Sequence, residues 1–100
     1  MKVTVKPFLL IRDALGGKEE IEVRLSSGAT ISDLLSTLRE EYGLPDEIPL
    51  PRGVLKLFEG KEVKEMVILK DGRNFKLLEG LETKLENGAV VALFPPLFGG

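Results

Sequence analysis

Cysteine and histidine are both missing from this sequence. Without thiols there is no disulfide framework. Without either residue the usual structural zinc sets and the Cys and His nucleophiles are excluded as well. A self-contained enzyme has few tools here. An excess of one charge is also lacking: 14 Lys plus Arg against 16 Asp plus Glu leave a formal net charge of −2. No broad basic field exists for a nucleic-acid backbone to find, so nucleic acid is not expected as a direct ligand. No apolar run approaches the roughly 20 residues of a membrane span. The start, Met1 to Lys6, alternates charged and apolar residues where a signal peptide needs an apolar block. The expectation is a cytoplasmic protein with no membrane partner.

What is there suits one domain: 100 residues, long enough for a single core that needs no staples, with 30% charged residues to solvate its surface. Val3 and Val5 alternate with Lys2, Thr4 and Lys6 as a half-buried strand, and Pro7 ends its regular pairing or marks an edge. From Phe8 to Leu15 the spacing fits a helical turn or two, closed by Gly16-Gly17. Glu20 to Leu25 alternates strictly and predicts a second strand with Ile21, Val23 and Leu25 inward. Thr30 with Asp33 three residues later resembles a capping box with a shorter acid. It starts the main helix, whose apolar stripe is Ile31, Leu34, Leu35, Leu38 and Tyr42. The solvated side is Ser32, Asp33, Ser36, Arg39 and Glu40, and Gly43 is the stop.

Pro45, Pro49 and Pro51 then predict a surface crossing from Leu44 to Gly53 that packs back through Leu44, Ile48 and Leu50. Val54 to Val63 fits no single template. Met66 to Leu69 is an apolar run before the hairpin pair Asp71-Gly72, followed by a short strand around Asn74-Phe75. Leu77 to Leu81 has turn character, and Glu86-Asn87-Gly88 is a strong turn signal. Ala89 to Phe94 is the last strand, apolar on both faces and therefore expected in the middle of the sheet with its second face also covered. This order predicts a single α+β domain over residues 1–94 with one helix on one face of a mixed sheet. The other face and the segment 95–100, an extended tail, become the natural partner surfaces.

That tail is the unusual feature. Leu93-Phe94-Pro95-Pro96-Leu97-Phe98-Gly99-Gly100 is apolar to its end, where a soluble domain normally finishes polar and frayed. Gly99 and Gly100 lack Cβ atoms, so they can thread a narrow channel and leave the last carbonyl unhindered. A carboxylate so presented can be activated as an acyl-adenylate and passed to a nucleophile, chemistry that needs no side chain from this protein. Pro95-Pro96 would stiffen the exit from the strand, with Leu97 and Phe98 as contact residues. A Gly-Gly pair alone reads as simple disorder; the full run behind a buried strand reads as a working end. Asp46-Glu47 and Glu40-Glu41 are adjacent carboxylates that need not converge and suit solvated surface. Arg12 and Arg73 are expected to face solvent.

The stretch Glu82-Thr83-Lys84-Leu85-Glu86-Asn87-Gly88-Ala89-Val90-Val91-Ala92-Leu93-Phe94-Pro95-Pro96, with Gly99-Gly100 behind it, resembles the C-terminal signature of the ubiquitin-like sulfur carriers of the MoaD/ThiS type. It is nearest the branch of molybdopterin synthase small subunits. Leu97-Phe98 stands where that family usually carries smaller residues. The resemblance implies a β-grasp fold, a mixed sheet of four to five strands with one main helix packed on one face. It also implies a carrier cycle. A ubiquitin-activating-type adenylyltransferase would use ATP to adenylate Gly100, a sulfur donor would convert it to a thiocarboxylate, and the large subunit of molybdopterin synthase would take the sulfur. Phe94, Pro95, Pro96, Leu97, Phe98 and Gly99 would lie in the partner's groove. No metal or cofactor would be bound by this chain, and the chain would not be catalytic alone. Alternatives stay open: a protein modifier joined to target lysines, a carrier for tRNA thiolation or thiamine, or a β-grasp binding module with an inert terminus.

Overall fold

The computed structural model describes residues 1–96; the expectations for Leu97, Phe98, Gly99 and Gly100 lie outside the described residues. Along the chain run β1 (Lys2–Pro7), α1 (Leu9–Ala14), β2 (Ile21–Arg24), α2 (Ile31–Glu41), β3 (Glu47–Pro49), β4 (Val54–Lys56), β5 (Phe58–Glu59), β6 (Glu62–Val63), β7 (Val67–Lys70), β8 (Arg73–Asn74) and β9 (Val90–Phe94). The main sheet has the order β2-β1-β9-β7-β8, with β1 and β9 parallel and the other neighbours antiparallel.

Alternation decides which face is which. Val3 and Val5 are fully buried, and register places Val23, Ile21, Val91, Leu93 and Ile68 on the same side, where all are buried too. The Thr4 N–H bonds the Ala89 carbonyl and the Phe8 N–H the Leu93 carbonyl, so amides of this parity turn toward the β9 side and the alternate ones toward β2. Pairing with β2 ends at Val5 opposite Ile21, which leaves the missing N–H of Pro7 beyond the last rung at no cost.

The helix α2 begins where the capping pattern predicts. The Asp33 N–H donates to Thr30 Oγ1 at 3.3 Å, and the Thr30 N–H donates to Asp33 Oδ2 at 2.9 Å. Ile31, Leu34, Leu35 and Leu38 bury against the sheet in the one core cluster of the domain. Beyond Glu41 the chain leaves the helix through Gly43 at φ 76°, and the Leu44 N–H returns to the Leu38 carbonyl. Tyr42 departs from the expected stripe: it caps the helix, is 38% exposed, and its hydroxyl donates to the Glu22 carbonyl on the outer edge of β2. Among the described residues no helix is long and apolar enough to cross a membrane.

Three further stretches differ from their sequence expectation. The proline-rich crossing contains β3, which pairs with β4 (Ile48 opposite Leu55) in a ribbon separate from the main sheet, with Pro49 at its end. The unassigned Val54–Val63 stretch supplies β4 and the β5–β6 hairpin, with Leu55, Leu57 and Phe58 buried. The strand expected through Phe75 stops at Asn74, because the Asn74 side chain accepts from the Lys76 N–H and starts a 3₁₀ turn over Phe75–Leu77. A second 3₁₀ turn, Gly80–Glu82, follows in the segment read as turn.

Arg39 was expected on the solvated side of α2, but it ties distant pieces together. Its guanidinium lies 4.3 Å from the centroid of the Phe58 ring, and it donates to the Gly60 carbonyl at 3.0 Å and to Asp46 Oδ1 at 2.6 Å. The crossing and the β5–β6 hairpin are thereby fastened to the helix. The result is a β-grasp fold, a five-stranded mixed sheet with one main helix on one face. Leu34→Ala, at a fully buried site, should destabilise the protein by roughly 2–5 kcal/mol, and Thr30→Ala by about 1 kcal/mol, both read from urea unfolding midpoints.

Candidate functional site at the end of the central strand

The site begins with what holds β9 in place. At its start, Asp71 (φ 48°) and Gly72 (φ 84°) form the tight turn between β7 and β8, with the two positive φ values a type I′ turn requires. Asp71 then uses its other groups on β9: its N–H donates to the Val90 carbonyl at 2.8 Å, and its Oδ1 accepts from the Val90 N–H at 2.9 Å. Lys70 Nζ reaches Glu86 Oε2 at 2.8 Å just upstream. On the β1 side the Lys2 N–H donates to Asn87 Oδ1 and the Gly88 N–H to the Lys2 carbonyl, both at 2.8 Å.

At the other end of β9, the Phe8 N–H bonds the Leu93 carbonyl at 3.0 Å, and the Phe8 ring stacks on Phe94 with centroids 4.3 Å apart and planes 6° from parallel. Arg12 Nε donates to the Pro7 carbonyl at 3.1 Å and its guanidinium lies 5.4 Å from the Phe8 ring centroid. Arg12, expected to face solvent, therefore braces this corner. Phe94 is half-buried, Pro95 buried and Pro96 half-buried, so the chain is still packed on the domain at Pro95.

The strand faces differ in what they present. Val91 and Leu93 are fully buried under α2, while Val90, Ala92 and Phe94 on the opposite face are half-buried. The cover expected over that second face is therefore partial and is supplied at Phe94 by Phe8. Register sets Val67 opposite Phe94 and Leu69 opposite Ala92, giving a half-exposed apolar stripe on β7 and β9. On the β1 and β2 side of the same face stand the exposed pairs Lys2–Glu22 and Lys6–Glu20. An open groove of about 270 Å³ runs beside the Phe8 ring between Lys6, Arg12, Glu19 and Glu20. A larger hollow of about 420 Å³ at Ser26–Ala29 and the first turns of α2 shares no residue with it.

Phe8 is the functional neighbour that sequence reasoning missed; its only signal is an aromatic directly after Pro7 at the end of a strand. Glu40 and Glu41 are exposed, and among the described residues no group of three or more acidic side chains is placed to hold a metal. The shifted ionisations sit elsewhere. A hydrogen bond and the charge of Lys56 hold Glu59 below its ordinary carboxylate value, and Glu62 holds Lys64 above its ordinary value in the same two ways. Glu59 thus adds stability that is lost as pH falls through its folded pKa, and Lys64 adds stability that is lost as pH rises through its own. Both are fully solvated around the β5–β6 hairpin, away from the end of β9.

Comparison with known proteins agrees with this geometry. A model of the ThiS family matches residues 8–100. The chain is 36% identical over 102 residues to small archaeal modifier protein 3 of Haloferax volcanii, with all of both chains covered. Its structure resembles that of small archaeal modifier protein 1 from Methanosarcina acetivorans, with 28% identity, a TM-score of 0.71 and coverage of 99% of this chain and 96% of that one. It also resembles a Pyrococcus furiosus protein whose name assigns it, provisionally, to subunit 1 of molybdopterin converting factor. That match has 28% identity, a TM-score of 0.69 and coverage of 96% and 98% of the two chains.

If the stack holds the corner, a double-mutant cycle of Phe8→Leu and Phe94→Leu should return a coupling of about 0.5–1.5 kcal/mol in denaturant unfolding. Asp71→Ala should cost about 1 kcal/mol by the same measurement, whereas Asp71→Asn, which keeps an oxygen for the Val90 N–H, should cost much less.

Proposed function

The chain belongs to the ThiS family of ubiquitin-like sulfur carriers and modifiers, and on that premise we propose that Gly100 is its working group. In this reading the protein is a sulfur carrier in the cytoplasm, charged by a ubiquitin-activating-type adenylyltransferase, and the small, sulfur-donating subunit of a molybdopterin synthase. The observation that carries the reading is the anchoring of β9. The strand leading to the tail is paired on both sides and clasped at both ends, so the chain leaves Pro96 from a fixed point. The family model also runs through residue 100.

The chemistry asks little of this chain. A Gly100 carboxylate oxygen attacks the α-phosphorus of ATP in the activating enzyme and pyrophosphate leaves. A sulfur donor then expels AMP from the acyl-adenylate, leaving a thiocarboxylate whose sulfur the large synthase subunit consumes. ATP and the catalytic side chains belong to the partners, which is consistent with a sequence holding no Cys or His. Pro96, Leu97, Phe98 and Gly99 are assigned to the partner groove, while Phe94, stacked on Phe8, and Pro95, buried on the domain, hold the root of the tail; the apolar stripe of Val67, Leu69, Val90 and Ala92 is the adjoining contact. The likeness to the Pyrococcus furiosus protein supports molybdopterin as the outlet.

A second reading is favoured by the 36% identity to a protein named as a modifier. Here the same acyl-adenylate ends on a lysine amine of a target, forming an isopeptide bond. Intact mass of the full chain after incubation with activating enzyme, ATP and a sulfur donor separates the two. Replacement of one carboxylate oxygen by sulfur is expected, and an unchanged mass would remove the sulfur-carrier reading. Conjugates that survive reducing denaturing gels, and vanish on deleting Gly99-Gly100, would assign the protein to the modifiers.

A further inference from the structure

Strand β2 is an edge of the main sheet: it pairs with β1 on one side, and among the described residues no strand lies on its other side. The Met1 ammonium donates to the Leu25 carbonyl at 2.8 Å and the Leu25 N–H to the Met1 carbonyl at 2.9 Å. Alternation then turns the amides and carbonyls of Ile21 and Val23 toward β1 and those of Glu22 and Arg24 outward. Among the described residues one partner meets these outward groups, the Tyr42 hydroxyl, which lies 3.4 Å from the Glu22 carbonyl. That is long for an O–H···O bond and is readily exchanged for a shorter one. A strand edge with open backbone groups is a template for another strand.

The side chains select which strand fits. Glu22 and Arg24 are exposed on the face away from α2. Arg24 stands opposite Lys2 in the β1 register, a like charge, and forms no ion pair among the described residues, whereas Glu22 reaches Lys2 at 3.7 Å. An edge of a single sign would repel its own copy, but this one carries both signs. For outward groups to meet outward groups, an antiparallel two-fold pairing of β2 with itself centres on Glu22, on Val23 or on Arg24. The first sets Glu22 against its own copy, and the last sets Arg24 against its own. Centred on Val23, each Glu22 faces the second copy's Arg24 and no like charges are opposed. On the other face of the same register the half-buried Leu25 meets the second copy's Ile21, an apolar pair.

We infer that β2 is a self-association edge, through which two copies of this chain pair antiparallel about a two-fold axis at Val23 and join their five-stranded sheets. Each rung of Glu22 with Arg24 exchanges a backbone bond in both directions. The Arg24 N–H of one copy takes the Glu22 carbonyl of the other from Tyr42, so Tyr42 competes with the dimer and occupies the edge at low concentration. The strand is short, so the interface is small and the dimer weak, with a Kd on the order of 100 μM. Because β1 separates β2 from β9 and β9 runs antiparallel to β2, the two copies send their last strands to opposite ends of the joined sheet. The pairing does not use Gly100 and stands or falls apart from the carrier reading.

The test is sedimentation equilibrium of the full chain from about 10 μM to about 1 mM, with amide chemical shifts followed over the same range. Wild type should move toward the dimer mass. The amides of Glu22 and Arg24 should shift with concentration, while those of Arg73 and Asn74 on the opposite edge strand, β8, stay fixed. Arg24→Glu and Glu22→Arg each oppose like charges and should weaken the dimer about tenfold. The double variant Glu22→Arg with Arg24→Glu restores opposite charges and should return to within about threefold of wild type, and Tyr42→Phe should tighten the dimer about twofold. A monomer throughout the range overturns the proposal. So does a dimer that the single charge changes leave alone, that the double variant fails to restore, or whose concentration-dependent amides lie off β2. Where urea unfolding shows that a charge variant has lost its fold, the wild-type amide shifts decide.

Discussion

The parallel pairing of β1 with β9 is the constraint on which the rest of the molecule depends. It joins the first strand of the chain to the last, Thr4 beside Val90 through Pro7 beside Leu93, and puts the segment that carries the tail in the middle of the sheet. A parallel neighbour requires a long crossover, and here the whole of the domain between β1 and β9 is that crossover. The helix α2 closes over Val3, Val5, Val91 and Leu93 from one side. Because these contacts span most of the sequence, their loop-closure entropy is met only when the core forms, so the tail's root is ordered together with the fold and not before it.

Around that axis the molecule divides its tasks by face. The buried face supplies cohesion through a single apolar core. The opposite face carries a half-exposed apolar stripe on β7 and β9 and charged pairs on β1 and β2. Those pairs are solvated and add little stability; their effect is to keep one side of the face wet and polar, which sets the boundary of the apolar stripe. The β3–β4 ribbon and the β5–β6 hairpin lie outside this sheet and are secured by Arg39 through a ring face, a carbonyl and a carboxylate.

The corner formed by Phe8, Leu9, Arg12 and Phe94 links fold to function. Backbone pairing determines where β9 ends, aromatic stacking determines how its last residue is held, and the turn at Leu9, at φ 54°, reverses the chain directly after Phe8. On the proposed function, what this corner provides is a fixed origin for the segment that follows Pro96.

By itself the sequence determined the elements that rest on neighbours in the chain. Alternation marked β1 and β2, the Thr30–Asp33 pair marked the start of α2, Asp71-Gly72 marked a hairpin, and the two-sided apolar run marked a central last strand. The family signature at 82–96 is equally local. Tertiary structure alone decided where residues far apart meet. Tyr42 left the apolar stripe to bond the edge of β2, Arg39 left the solvated side for Phe58 and Asp46, the proline-rich crossing paired with a strand no periodicity announced, and Phe8 found Phe94. Spacing reports which side of its own element a residue occupies. Stacking, cation–π contact and ribbon pairing depend on which other element arrives there, and that is settled only when the sheet closes around β9.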